Sequence, residues 1–229
     1  MNWNKVQKAA DKHGYLIYAM DQSQTPVMTQ PGPWGEAATG YCAGLAVRWI
    51  GLRYVGADYR FNKSTKVVEM PDWQTTRDQN LYENDLAAAT GAATAFPEPY
   101  KPTFAKYGLT INSGLVTTMN SAATGGILRN AASAKEGCYL IELRRPGGGH
   151  AVAMQNMGKN GWRFFDANYG AMKTNTPQGF ENLMTWFLKA SGYGTRYTSA
   201  VRIAGINPPP YVGANFQVLM KSILKKLGI

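Results

Sequence analysis

Residues 138–166 constrain the fold of this chain more than any other stretch. CYLIELRR, 138 to 145, alternates apolar and polar positions between Gly137 and Pro146. HAVAMQNM, 150 to 157, follows a run of three glycines, and WRFFD, 162 to 166, follows the turn GKNG. Alternation bounded by glycine and proline is the mark of strands, and a short glycine-containing turn between two of them makes a hairpin. The chain is thereby committed to an antiparallel sheet. Residues 196–206 supply another strand. Between them, TPQGFENLMTWFLKAS, 176 to 191, has Thr176 as a helix N-cap and Pro177 at the first helical position.

The N-terminal half has helical spacing instead. Residues 2–12 form a short polar helix with Trp3 and Val6 as anchors, and YLIYAM, 15 to 20, suits a short strand or the last turn of that helix. Residues 21–36 are rich in proline and glycine and form a loop. In GYCAGLAVRWIGL, 40 to 52, Leu45, Trp49 and Leu52 recur at helical intervals, joined by Ala46 and Ile50. That helix begins at Cys42 and runs to about Val55, with Gly56 as its stop. Residues 57–75 are mixed, 76–92 helical, and 94–114 mostly irregular. Residues 115–134 make one or two helices broken at Gly125-Gly126. The expected architecture is a single α+β domain over residues 1–206, with 1–33 peripheral and helices and sheet on opposite sides of a cleft. Residues 207–229 add a proline-rich linker and a basic amphipathic helix at 214–227. Such a helix suits an anionic membrane or an acidic protein surface, or docks on its parent domain.

Composition removes several function classes. A net charge of +10 favours acidic partners, but no RNP, zinc-finger or basic-helix signature accompanies it, so nucleic acid is not expected. Two cysteines and two histidines, widely spaced, make neither a disulfide framework nor a metal cluster. No phosphate-cradling glycine loop is present. No cofactor and no metal is therefore expected. The polar N-terminus MNWNKVQKAADKHG lacks the apolar core of a secretory signal, and no run reaches the roughly 18 apolar residues of a membrane span.

The remaining chemistry is that of a thiol. A catalytic cysteine needs a lowered pKa, a base, and donors for an oxyanion. Cys42 heads a helix, whose unpaired N–H groups favour a thiolate. His150 opens an apolar strand beside glycines, and Asp166 closes the partner strand. Strand parity sets a condition. A two- or four-residue loop at 157–161 puts His150 and Asp166 on opposite sheet faces, whereas three or five residues, or a bulge, put them on one face. The odd loop or the bulge, with both residues on one face, is expected. Cys138, Trp162 and Phe164 are expected to pack the core.

GYCAGLAVRWI, GGGHAVAMQ and FFDANYG resemble the three active-site blocks of the YopT/AvrPphB-type cysteine proteases, over residues from near 34 to near 205. The resemblance implies a papain-like fold, with Cys42 as nucleophile, His150 as general base and acid, and Asp166 as orienter. It also implies a bacterial effector or toxin. Such a protein is made in the bacterial cytoplasm, delivered by a specialised secretion system, and directed at a protein substrate in a target cell. A chaperone or an immunity protein is a further partner implied by that route. One departure concerns the oxyanion hole. Papain-like enzymes usually carry Gln or Asn five or six residues before the cysteine, where this chain has Ala37 and Glu36. Gln22, Gln24 or Gln30 would have to fold back instead, and Gln30 is the preferred candidate. The same triad also suits a glutamine deamidase or transglutaminase, or a peptidoglycan amidase. A non-enzymatic basic module with an inert thiol is the remaining reading.

Overall fold

The structure is a computed structural model, and it describes residues 3–24, 41–68, 96–112, 114–120, 122–146, 148–208 and 225. The helices expected over 76–92 and 214–227 lie outside the described residues, Lys225 apart. In chain order the helices are α1 (Trp3–Lys12), α2 (Cys42–Tyr54), α3 (Lys101–Lys106), α4 (Thr124–Ser133), α5 (Pro177–Ala190) and α6 (Tyr193–Arg196). The strands are β1 (Leu16–Tyr18), β2 (Thr110–Ile111), β3 (Leu115–Thr117), β4 (Gly137–Arg145), β5 (Gly148–Asn156), β6 (Trp162–Asp166), β7 (Gly170–Thr174) and β8 (Ala200–Asn207).

All eight strands form one sheet in the order β1-β7-β6-β5-β4-β8-β2, with β3 also paired to β8. Every strand pair in it is antiparallel. The hairpin from β5 to β6 pairs Asn156 with Trp162 and Val152 with Asp166, so five residues, 157–161, connect the strands. His150 precedes Val152 by two and therefore shares a face with Asp166. β7 extends this hairpin, and its register pairs Asp166 with Gly170.

Residue alternation divides the core into two layers. One face of the sheet presents Ala151, Ala153 and Phe165 to α2. Every residue of α2 from Ala43 to Leu52 is buried, as expected of a helix enclosed on all sides rather than lying at a surface. Trp49 stacks on Phe165 with ring centroids 5.5 Å apart and planes at 11°, and the Tyr59 hydroxyl donates to the Leu45 carbonyl at 3.0 Å. The opposite face presents Val152, Met154, Trp162 and Phe164 to Phe180, Leu183, Met184 and Phe187 of α5 and to Leu128 and Ala132 of α4. Trp162 stacks on Phe180, and Phe164 meets Phe187 edge-on, each at 4.9 Å. Helices thus cover both faces of the sheet, a second layer that the strand pattern alone does not reveal.

Three local expectations are revised. Residues 3–24 are integral rather than peripheral, because β1 pairs with β7 and Val6 and Ala10 of α1 join the second core layer. Residues 115–134 hold a strand and one helix, and α4 runs unbroken through Gly125-Gly126. Its glycine has a packing reason. A Cβ on Gly125 would stand 2.7 Å from the Glu181 carbonyl oxygen, so α4 and α5 touch backbone to backbone there. Finally, α3 occupies part of the segment expected to be irregular. The N-cap of α5 is as expected: Thr176 Oγ1 accepts from the Gly179 N–H at 2.9 Å.

Gly125→Ala should destabilise the chain by about 1–3 kcal/mol despite alanine's higher helix propensity, because the new methyl meets backbone. Gly126→Ala, whose Cβ would face only the movable Glu181 carboxylate at 3.3 Å, should be neutral or stabilising by up to about 1 kcal/mol. Urea unfolding of both variants checks the pair. Phe165→Ala should cost about 3–5 kcal/mol in the same measurement, since it removes the stacking surface under Trp49.

Candidate active site

Cys42 is the first residue of α2 and follows Tyr41, the N-cap, which offers no side-chain cap. The N–H groups of the first turn have no carbonyl four residues back, so positive potential collects at the thiol. The residue is half-buried while its neighbours Tyr41 and Ala43 are buried. α2 packs on β5, and this brings the sulfur against His150 and the Ala151 N–H. Burial by itself pushes the thiol upward. The His150 charge, a hydrogen bond to that ring and one from the Ala151 N–H outweigh burial, and the thiol lies below its ordinary value.

His150 lies three residues into β5, opposite Leu143 of β4, and is 4% exposed. Its Nε2 is 2.8 Å from Asp166 Oδ2. With Nε2 committed to the carboxylate, Nδ1 is left to exchange a proton with the thiol. Burial alone would pull this imidazole down. The charges of Asp166 and Cys42 and the hydrogen bonds to both override that, and hold it well above the usual histidine range. Asp166 is fully buried, and its second oxygen accepts from the Asn168 N–H at 2.7 Å. Asn168 thus closes the turn that presents the carboxylate.

Aromatic rings confine the imidazole. Tyr193 meets it edge-on at 5.1 Å and 69°, and Tyr197 stacks on it at 5.9 Å and 19°. Tyr193 Oη lies 3.2 Å from His150 Nε2. Gly192, with φ +73°, takes the left-handed conformation that ends α5 and redirects the chain, so α6 starts with Tyr193 facing the site. Arg145 and Arg196 lie 6.0 and 5.7 Å from the centre of the Tyr197 ring, which makes the outer rim basic.

The structure therefore brings Cys42, His150 and Asp166 together, from a helix start and two neighbouring strands. Gln30, Glu36 and Ala37 lie outside the described residues, as does the Gln24 side chain. Gln22 is described and sits at the site: its Oε1 accepts from the Tyr41 N–H at 2.8 Å, and its Nε2 donates to Asn168 Oδ1 at 2.6 Å. Tyr193 and Tyr197 escaped the sequence reading. The only local trace was the glycine before Tyr193. Cys138 is buried core, its thiol pushed up to about 12 by burial. Tyr169 is also core, packed edge-on against Phe187 at 5.2 Å. Among the described residues, no group of three His, Cys, Asp or Glu side chains could hold a metal ion, and no helix is long and apolar enough to cross a membrane.

Comparison with known proteins bears on the whole arrangement. The Peptidase_C58 family model, described as Yersinia/Haemophilus virulence surface antigen, matches residues 109–203. The matched residues include His150 and Asp166 but not Cys42. The crystal structure of the Pseudomonas avirulence protein AvrPphB superposes with a TM-score of 0.61 at 17% sequence identity, covering 85% of this chain and 97% of that one. This likeness shows the fold, an α+β papain-like one. No curated protein sequence matches the chain significantly. The family match spans less than half of the chain, across the sheet that bears the histidine and aspartate, and the whole fold is similar to that of AvrPphB.

Proposed function

We propose that Cys42, His150 and Asp166 are the catalytic triad of a cysteine protease that acts as a bacterial effector on a protein of a target cell. The observation that carries this reading is one imidazole bonded at once to a carboxylate and to a helix-heading thiol whose pKa is lowered. The Cys42 thiolate attacks the scissile carbonyl carbon. The oxyanion that forms is held by the Cys42 N–H, a first-turn donor, with Gln30 from the preceding loop as the second donor. His150 gives its Nδ1 proton to the leaving amine, and the peptide C–N bond breaks to leave a thioester. A water then gives its proton to His150 and adds to the thioester, and the sulfur departs as thiolate. Asp166 holds Nε2–H and stabilises the imidazolium throughout.

The route to the substrate belongs to the same proposal. The protein is made in the bacterial cytoplasm and delivered by a specialised secretion system, with a chaperone or immunity protein as partner before release. The basic helix at 214–227 would then bring it to an anionic membrane or an acidic protein surface.

The direct test is to incubate the native chain and Cys42→Ala with target-cell lysate and label new N-terminal amines. Substrate fragments with new N-termini, absent with Cys42→Ala, are expected. Intact-mass gains of about one dalton without fragments would replace proteolysis by deamidation, and cleavage only of cell-wall peptides would replace it by an amidase. His150→Ala should lower turnover by about 10²–10⁴-fold, the usual share of general acid–base catalysis. Asp166→Asn keeps a hydrogen-bond acceptor but removes the charge. The imidazolium is then less favoured, so the thiol pKa rises and the onset of iodoacetamide labelling moves to higher pH. In the native chain Cys42 should label well below the ordinary thiol pKa of roughly 8.5. Cys138 should label only on unfolding. Peptide mapping after labelling across pH reads both.

A further inference from the structure

We propose that Gln22, Asn168 and Tyr193 form a polar strut that locks the start of the nucleophile's helix to the general base, with Tyr193 as the member that reaches the imidazole. The inference rests on the thiol–imidazole reading above and adds three positioning residues to it.

The strut is continuous. The Tyr41 N–H, one residue before Cys42, donates to Gln22 Oε1 at 2.8 Å, and Gln22 Nε2 donates to Asn168 Oδ1 at 2.6 Å. Asn168 Nδ2 donates to Tyr193 Oη at 2.8 Å, and Tyr193 Oη lies 3.2 Å from His150 Nε2. Its polarity is fixed at one end. A backbone N–H can only donate, so the Gln22 atom facing Tyr41 must be the carbonyl oxygen. The amide nitrogen then faces Asn168, whose own amide nitrogen turns to Tyr193. A second tie runs parallel, as the Gln22 N–H donates to the Ala167 carbonyl at 2.9 Å. Gln22, Tyr193 and His150 are buried, at 9%, 0% and 4% exposure, and Asn168 between them is half-buried, so the two end bonds of the strut are shielded from bulk water.

The strut joins parts that the backbone leaves separate. Cys42 rides on α2, whereas Asp166 ends β6, Asn168 belongs to the turn between β6 and β7, and Tyr193 to α6. Packing of α2 on the sheet sets their approach to within a side chain's play. A chain of short, directed bonds from Tyr41 to the base removes that play, which is what a thiol–imidazole proton exchange requires. Tyr193 also acts on the ring itself. Its oxygen already accepts from Asn168 and presents its remaining lone pair towards Nε2–H, next to Asp166. Two acceptors on one N–H favour the Nε2–H tautomer and the imidazolium, and so the thiolate at Nδ1. The titratable groups that face His150 are Cys42 from α2, Asp166 from β6, Tyr193 from α6 and Tyr197 just beyond it. Arg145 and Arg196 stand behind the Tyr197 ring.

The test titrates iodoacetamide labelling of Cys42 against pH in four full-length chains: native, His150→Ala, Tyr193→Phe and Gln22→Met. Thermal melts are run beside it. Tyr193→Phe keeps the ring contacts to His150, Tyr169, Phe187 and Tyr197 and deletes only the hydroxyl. It should move the labelling midpoint up by about half to one pH unit, slowing labelling on the acid side roughly three- to tenfold, with little change in melting. Gln22→Met should shift the midpoint in the same direction. Should Gln22→Met fail to fold, Tyr193→Phe decides alone. A native chain with an acid-side limb that either folded variant leaves in place overturns the strut and spares the triad. A native chain that labels like His150→Ala overturns the triad, and the strut with it.

Discussion

A carboxylate with no exposed surface, bonded to an imidazole that is itself buried, is costly to build. Removing both groups from water is recovered only when every remaining hydrogen-bonding atom finds a partner and the geometry is held. Much of the architecture around β5 and β6 meets that requirement. The five-residue connection sets the parity, the Asn168 N–H takes the second Asp166 oxygen, and Tyr193 and Tyr197 wall the ring. The thiol supplies the last partner. Without a group to share the Nδ1 proton, a histidine so enclosed would be better replaced by an apolar residue of similar volume.

The same constraint explains why α2 is buried from Ala43 to Leu52. Its N-terminus must reach the start of β5, which requires the helix to run through the interior against the sheet. Trp49 on Phe165 and Tyr59 on Leu45 then fix its depth and its rotation. On the far face, α5 does a different task. It anchors the sheet through Phe180 and Phe187, and its end at Gly192 launches Tyr193 towards the His150 imidazole. Both helical layers therefore converge on one ring.

Parts of this were legible in the sequence for physical reasons. The helix from Cys42, the β5–β6 hairpin and the Thr176 cap carry periodic or capping signals within a dozen residues, and local rules read such signals. The convergence of Cys42, His150 and Asp166 followed from the resemblance and from strand parity. Other parts had no local signal. α4 runs through Gly125-Gly126 because α5 presses on it, which is a tertiary cause that helix propensity cannot anticipate. β7 is a five-residue strand whose partner β1 lies near the other end of the chain. Gln22, Asn168 and Tyr193 meet by side-chain hydrogen bonds between distant positions, and no local pattern joins the three to one another. Gln30, the preferred oxyanion candidate, lies outside the described residues, and the described Gln22 stands beside the site.

The central claim is that Cys42 and His150 share a proton as thiolate and imidazolium. Nitrogen NMR of the histidine rings tests it most directly, since the chain has only two histidines to assign. The account predicts that both ring nitrogens of His150 carry protons at neutral pH, and that Cys42→Ser lowers the pH at which the ring loses one. A bare ring nitrogen at neutral pH, with a titration that Cys42→Ser leaves unmoved, would contradict it.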